Sequence, residues 1–485
     1  MRRLPSLLAL INVAALSACA GPPVDPAVAT TRPLIANRNL DVLFMIDNSS
    51  SMRLSQTNLL NNFSTFMDVL KNLPGGLPNI HVAVVSSDMG AGDGSVAGCS
   101  ATGGDNGLFQ YTARGTCAST TLQNGATFIS NVGGVANYTA ADLSTVFSCI
   151  AALGDTGCGF EHQFASVLRA LGADGQPAPA ENQGFLRSDA LLAIVMVTNE
   201  DDCSARPGIQ LYDFNSNMNL TSALGPLSNY RCNEFGHVCD GAPPPRMAPN
   251  NDVNTTVMLQ NCTSSDCDGS LVPVGEFAAR IKALKAAPAS EIVVAAITGP
   301  ATPYTVHWKA PSIADTSCGQ ASCPWPEITH SCVATDSSFA DPAVRVTEAV
   351  NAFGVNGFVS SICDANFGTT LQQIANRIGV LLAAGGGTGG GPGPIPSCAT
   401  SGLGGAGGST GAGGAGGGGG TGGSASGGTT GGSAPADASV DGRGTGKGGG
   451  GCQVGGGGGD VSGIALLAVM AFLWRARRRR TRARA

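Results

Sequence analysis

Val42-Leu43-Phe44-Met45-Ile46-Asp47-Asn48-Ser49-Ser50-Ser51 is the stretch that decides the fold. Five consecutive apolar residues ending in a polar turn read as a strand buried on both faces, the pattern of a parallel sheet. Beyond the turn, Leu59, Leu60, Phe63, Phe66, Met67, Leu70 and Leu73 recur at helical spacing until Pro74-Gly75-Gly76 stops the helix. Val82-Ala83-Val84-Val85 reads as a second buried strand. Further along, a helix over about 160–171 precedes a strand at 191–197. A helix over 276–286 precedes a strand at 292–297, and a helix over 370–382 closes the series. This alternation across residues 38–383 predicts an α/β domain with a doubly wound, mostly parallel sheet and helices on both faces. Two cysteine-bearing stretches, 203–270 and 301–340, lack any such period and read as disulfide-rich insertions.

Open sheets of this kind bind ligands at the carboxyl ends of their strands. The first strand ends in Asp47-Asn48-Ser49-Ser50-Ser51, a D-x-S-x-S sequence. Hydroxyls on alternate residues of one turn can point at one ion, with the neighbouring carboxylate neutralising charge through a bound water. Such hard oxygen ligands suit Mg²⁺, Ca²⁺ or Mn²⁺. The plainer alternative is a helix start capped by Ser51 or a neighbour. Placed after an apolar strand and before an amphipathic helix, the motif resembles the first element of the metal-ion-dependent adhesion site of von Willebrand factor A (VWA) domains.

That resemblance implies a VWA-type fold, a threonine from a later loop and an acidic residue after the fourth strand. Thr156, in Asp155-Thr156-Gly157-Cys158-Gly159, is the candidate for the threonine, with a helix cap as its alternative. Asn199 stands where the family usually has aspartate, so the site lacks one negative charge. Glu200, Asp201 and Asp202 could compensate, form a second cation site, or make up a solvated acidic turn. Ser86-Ser87-Asp88 ends the second strand on the same edge; it could line the site rim, a structural turn is the plainer reading, and it is left out of the ligand set. The candidate ligand set is thus Asp47, Ser49, Ser51, Thr156 and Asn199. The function implied is recognition: a carboxylate of a protein or glycan partner completes the coordination shell, so metal and partner binding are linked. Adhesion or surface-complex assembly would fit.

Of 27 basic residues, Arg2, Arg3 and the seven arginines from Arg475 to Arg484 lie in terminal segments without acids. That leaves 18 against 33 acidic residues, a net of −15 for the rest. Such a field disfavours nucleic acid and attracts cations. Residues 1–19 read as a signal peptide in which Leu16-Ser17-Ala18-Cys19 resembles a bacterial lipobox with Cys19 as the lipidated residue; ordinary cleavage nearby is the alternative. A linker, 20–37, follows. Residues 384–460 form a glycine-rich low-complexity spacer unable to bury enough apolar area to order itself.

The final segment, 461–485, joins an apolar run at 461–474 to an arginine cluster. As a helix the run spans about 21 Å, less than a hydrocarbon core of about 30 Å. Cys452, the glycines, the short helix and the arginines together resemble the C-terminal sorting tags of myxobacterial surface proteins, which implies processing near Cys452. A plain single-pass anchor is the alternative. The expected location is the cell envelope, outer membrane or surface, with membrane tethering.

Setting aside Cys19 and Cys452 leaves 14 of 16 cysteines, an even number that suits disulfides in an exported chain. A zinc site from Cys232, Cys239, Cys262, Cys267 and His237 is the alternative use. Five histidines, no H-E-x-x-H and no supported nucleophile elbow argue against an enzyme, leaving a hydrolase as the rival class. A structural envelope protein with a vestigial metal site is the third reading.

Overall fold

The apolar run around Phe44 forms strand β1 (Asn39–Ile46) of a computed structural model. It describes residues 38–385 apart from 93–95, 97–98, 100–102, 115–116, 118–120, 213–217, 266–268 and 312. The chain divides into two units, Met1–Gly402 and Leu403–Ala485, and every described residue belongs to the first. The signal segment with Cys19, the linker at 20–37, the spacer beyond residue 385, Cys452 and the terminal apolar–arginine segment lie outside the described residues.

β1 leads into α1 (Arg53–Lys71) and β2 (Asn79–Ser86), then the hairpin β3 (Ile129–Val132) and β4 (Val135–Ala136). Helices α2 (Leu143–Ala151) and α3 (Gln163–Leu171) precede β5 (Leu191–Val197). A long excursion carries α4 (Tyr230–Gly236), β6 (His237–Val238), β7 (Thr256–Leu259) and β8 (Thr263–Ser264). Then α5 (Val274–Lys282) and α6 (Pro288–Glu291) return the chain to β9 (Ile292–Thr298). A second excursion holds β10 (Tyr304–Lys309), β11 (Trp325–Thr329), β12 (Cys332–Val333) and β13 (Phe339–Ala340). The domain ends with α7 (Val344–Asn351), β14 (Gly357–Ser361) and α8 (Gly368–Ala384).

The central sheet has seven strands in the order β14-β9-β5-β1-β2-β3-β4. The five from β14 to β2 are parallel, and the β3–β4 hairpin adds two antiparallel strands at one edge. Alternate side chains of β1 feed two cores, as a strand buried on both faces requires. Leu40, Val42, Phe44 and Ile46 pack with Phe63 and Phe66 of α1, Phe147 of α2 and Ile374 of α8. Leu43 and Met45 pack on the other face with Phe164 of α3, Phe277 of α5 and Val346 of α7. The expected mixed α/β architecture, with a mostly parallel sheet and helices on both faces, is what the chain adopts.

Two boundaries differ from the periodicity. α3 starts at Gln163 because the preceding backbone is engaged elsewhere: His162 N–H donates to Ser87 O, and Cys203 N–H donates to Glu161 O. α5 begins at Val274, directly after Pro273, and ends at Lys282. The half-exposed edge strand β14 and the short hairpin β3–β4 carried too few apolar residues to show in the pattern.

The two excursions, which read as insertions without a period, fold onto each other: β7 of the first and β11 of the second flank β10 in an antiparallel sheet. Trp308 is buried there and donates from its indole nitrogen to Arg246 O at 2.9 Å. Among the described residues six disulfides join Cys99–Cys158, Cys117–Cys149, Cys203–Cys232, Cys239–Cys262, Cys318–Cys323 and Cys332–Cys363. Cys232, Cys239 and Cys262 are therefore committed to disulfides, and Cys267 lies outside the described residues, which removes the zinc reading. This many disulfides marks an exported protein. No described helix is long and apolar enough to cross a membrane.

Candidate metal centre

After β1 the chain builds the sheet toward β2; after β5 it builds toward β9 on the other side. The border between β1 and β5 is thus the topological switch point, where open α/β sheets leave a crevice at their carboxyl ends. Asp47 N–H donates to Val197 O at 2.9 Å, so the polar segments 47–51 and 198–202 emerge side by side.

Asp47 is fully buried. Its Oδ1 accepts from Ser49 N–H at 2.8 Å and from Ser87 Oγ at 3.3 Å; its Oδ2 accepts from Thr198 Oγ1 at 2.8 Å. Burial pushes this carboxyl up from its ordinary range while those donors pull it back down. The Ser49 and Ser51 hydroxyls lie 3.4 Å apart. Ser51 Oγ donates to Asn199 Oδ1 at 3.2 Å, and Asn199 Nδ2 donates to Phe339 O, which fixes the amide oxygen toward the serines. No side chain caps α1, which follows Met52. The Ser51 hydroxyl is therefore not consumed as a helix cap.

Thr156 reaches the same place by a close backbone approach. Gly157 N–H donates to Asn48 O at 2.8 Å, and a Cβ on Gly157 would sit 2.2 Å from Asn48 Oδ1, so any larger residue there would displace the Asn48 side chain. Cys158 anchors the loop behind, through its disulfide to Cys99 and its N–H to Asp88 Oδ2. α3 begins seven residues after Thr156, with no side chain capping it, so Thr156 is not its cap. Its exposed side chain lines a cavity of about 420 Å³ together with Ser49, Ser51, Glu161, Glu200 and Asn229. Ser87 and Asp88 brace Asp47 and the 158 loop from below, as their structural reading anticipated.

One wall of this cavity is acidic. Glu161 is 2 % exposed, its Oε1 has no hydrogen-bond partner, and its carboxyl contacts that of Glu200. Glu200 Oε2 accepts from Asn229 Nδ2 at 2.7 Å. Burial, then the nearby charges of Asp341 and Asp47, push Glu200 up to about 8, and burial holds Glu161 well above its ordinary range. A buried carboxyl against a second, half-buried one is costly to ionise unless positive charge can join them.

The neighbours Asp201 and Asp202 face away from this cavity. Asp201 accepts from Arg345 N–H, Val346 N–H and His237 Nε2, and Asp202 accepts from Phe164 N–H and the Ser204 hydroxyl and pairs with Arg345. Both are occupied in pinning the starts of α7 and α3. The turn 200–202 is therefore not a solvated acidic loop, and of the suggested second cation set only Glu200 lines the cavity.

No family model and no curated protein matches this chain. Among the described residues no group of three or more His, Cys, Asp or Glu side chains is arranged to hold a metal ion, so the candidate donors are chiefly hydroxyl and amide oxygens. Two contributors escaped the sequence reading. Thr198 follows a buried strand as Ser49 follows β1, a parallel that could have flagged it. Glu161 was obscured because its segment read as helix.

The Glu161–Glu200 pair makes a pH prediction. In the unfolded chain Glu200 titrates near 4.5; in the fold it holds its proton to about 8. Between those values the folded state binds the extra proton, so this group's contribution to stability falls as pH rises. Urea unfolding without divalent cations at pH 5 and pH 8 should show Glu200→Gln losing less stability across that interval than the parent. Identical losses would refute the assignment.

Proposed function

We propose that this chain is an exported recognition module of the VWA type, which takes a divalent cation at the β1/β5 switch point and a carboxylate of a protein or glycan partner upon it. The observation that carries this reading is the convergence of the Ser49, Ser51 and Thr156 side chains on one cavity beside a buried carboxyl with an unpartnered oxygen. A donor set of hydroxyls, an amide oxygen and carboxyls suits Mg²⁺, Mn²⁺ or Ca²⁺ and not a thiophilic metal. The sheet order agrees with the doubly wound architecture that the VWA resemblance implies.

When bound, the cation supplies a Lewis-acidic position open to the partner's carboxylate. The chain's own residues do the rest. Ser49 and Ser51 present their hydroxyls at a spacing set by the turn, and Asp47 holds that turn through the Ser49 amide. Glu161 and Glu200 stand where they can replace the charge missing at Asn199. Lipidation at Cys19 and processing near Cys452 would tether the module to the envelope, and mass spectrometry of the mature ends tests both.

Calorimetric titration of the full-length chain with Mg²⁺, Mn²⁺ and Ca²⁺ should give saturable binding of at least one. Thr156→Ala should weaken it about tenfold, the equivalent of one modest ligand contact, with an unchanged circular dichroism spectrum because Thr156 is exposed. Silence of the parent protein toward all three ions would leave a structural envelope domain with a vestigial site.

A further inference from the structure

Adjacent residues at the entry to α3 face different cavities. Glu161 lines the candidate metal centre, whereas His162 lines a second cavity of about 410 Å³ between α3, α5 and the segment that follows β5. That volume lies within the roughly 300–1,000 Å³ typical of small-molecule sites. The geometry points to a binding site for a small organic carboxylate with an apolar body.

The apolar part of the argument is the wall. Leu168 of α3, Val272 ahead of α5 and Ile209 and Met89 from the flanking loops line the space, and Ile209 is 43 % exposed. An apolar body seated there would cover surface now open to water.

The charged part is an excess of guanidinium in an otherwise acidic domain. Arg169, Arg206 and Arg280 line the cavity against two carboxylates, Asp174 and Glu276. Arg280 takes Glu276 at 2.8 Å. Arg206 pairs with the same glutamate at 3.9 Å and Arg169 with Asp174 at 3.8 Å, ion pairs longer than a normal hydrogen bond. Backbone carbonyls hold them as well: Leu271 O accepts from Arg206 Nε and Pro177 O from Arg169 Nη1. The local balance is one positive charge, which suits a singly charged carboxylate better than a doubly charged phosphate, and guanidinium matches carboxylate geometry.

His162 is the buried polar residue of this lining. It is 3 % exposed, Tyr212 meets its ring edge-on at 5.2 Å, and Nδ1 has no hydrogen-bond partner. In either ionisation state an imidazole carries at least one N–H to donate. A buried histidine that lines this cavity and whose Nδ1 lacks a hydrogen-bond partner is the second observation, independent of the charge count.

The test titrates the full-length chain, in chelator so that the metal centre stays silent, with octanoate, 1-octanol and acetate. Octanoate should bind at least about tenfold tighter than either fragment, since only it engages both the wall and a charge-assisted hydrogen bond. Arg206→Ala, a change at a partly exposed side chain, should cost octanoate about tenfold and leave 1-octanol unaffected. His162→Phe should weaken octanoate while the thermal melting point shows the fold retained. Absence of octanoate binding, equal affinity for 1-octanol, or octanoate affinity indifferent to Arg206→Ala would each overturn the assignment.

Discussion

Replacing Ser49 and Ser51 together with alanine is expected to abolish calorimetric binding of Mg²⁺, Mn²⁺ and Ca²⁺. The two hydroxyls are 3.4 Å apart and face a common cavity, so the double change removes neighbouring donors that no other described hydroxyl pair at this turn replaces. The fold should survive, because the bond from the Ser49 backbone N–H to Asp47 Oδ1 that shapes the turn is kept. The converse change is Asn199→Asp. It restores a negative charge at the switch point and should tighten cation binding about tenfold, since ligand charge count is a main control of affinity in oxygen-ligand sites. It should also cost the cation-free protein about 1 kcal/mol, because the bond from Asn199 Nδ2 to Phe339 O is lost and a carboxylate would face that carbonyl. Undiminished binding by the double alanine variant would sink the assignment of these serines.

Asp202→Ala should be the most destabilising single change considered, at about 3–5 kcal/mol, because it strands a buried charge. Asp202 and Arg345 are both fully buried and paired at 3.3 Å. Asp202 also accepts from Phe164 N–H at 2.9 Å and from the Ser204 hydroxyl at 2.6 Å, fastening the start of α3 to the segment after β5. Arg345 has an unpartnered Nε already, so losing the carboxylate leaves a poorly satisfied guanidinium in the core. The double variant Asp202→Ala/Arg345→Met should recover part of the loss by removing that charge as well. Urea midpoints with the disulfides intact measure both. A single-variant loss below about 1 kcal/mol would mean that the pair is no better than a surface one.

How much of this was legible beforehand varies by element. β1, α1, β2, β5, β9 and α8 follow from apolar runs and helical spacing, because a strand buried on both faces and a helix on a sheet must both show their period. β14 was illegible, since an edge strand with two apolar residues needs no pattern. The excursions showed no period because β7 finds its partner β10 across a long sequence gap, and short-range spacing holds no trace of such pairing. The candidate metal centre divides in the same way. Asp47, Ser49 and Ser51 were visible as one turn after one strand. Glu161 and the occupation of Asp201 and Asp202 were not.

From its residues alone the chain declared an α/β domain, an acidic field, a cysteine content suited to export and a hydroxyl-rich turn after its first strand. These follow from local spacing and composition, which depend on neighbours a few residues away. Which acids remain available to a cation, which nitrogen of a buried histidine lacks a partner and which arginines come together on one cavity were settled only when distant segments packed. Hydrogen bonding and desolvation act on whatever lies within a few ångströms, and proximity of that kind is a property of the fold.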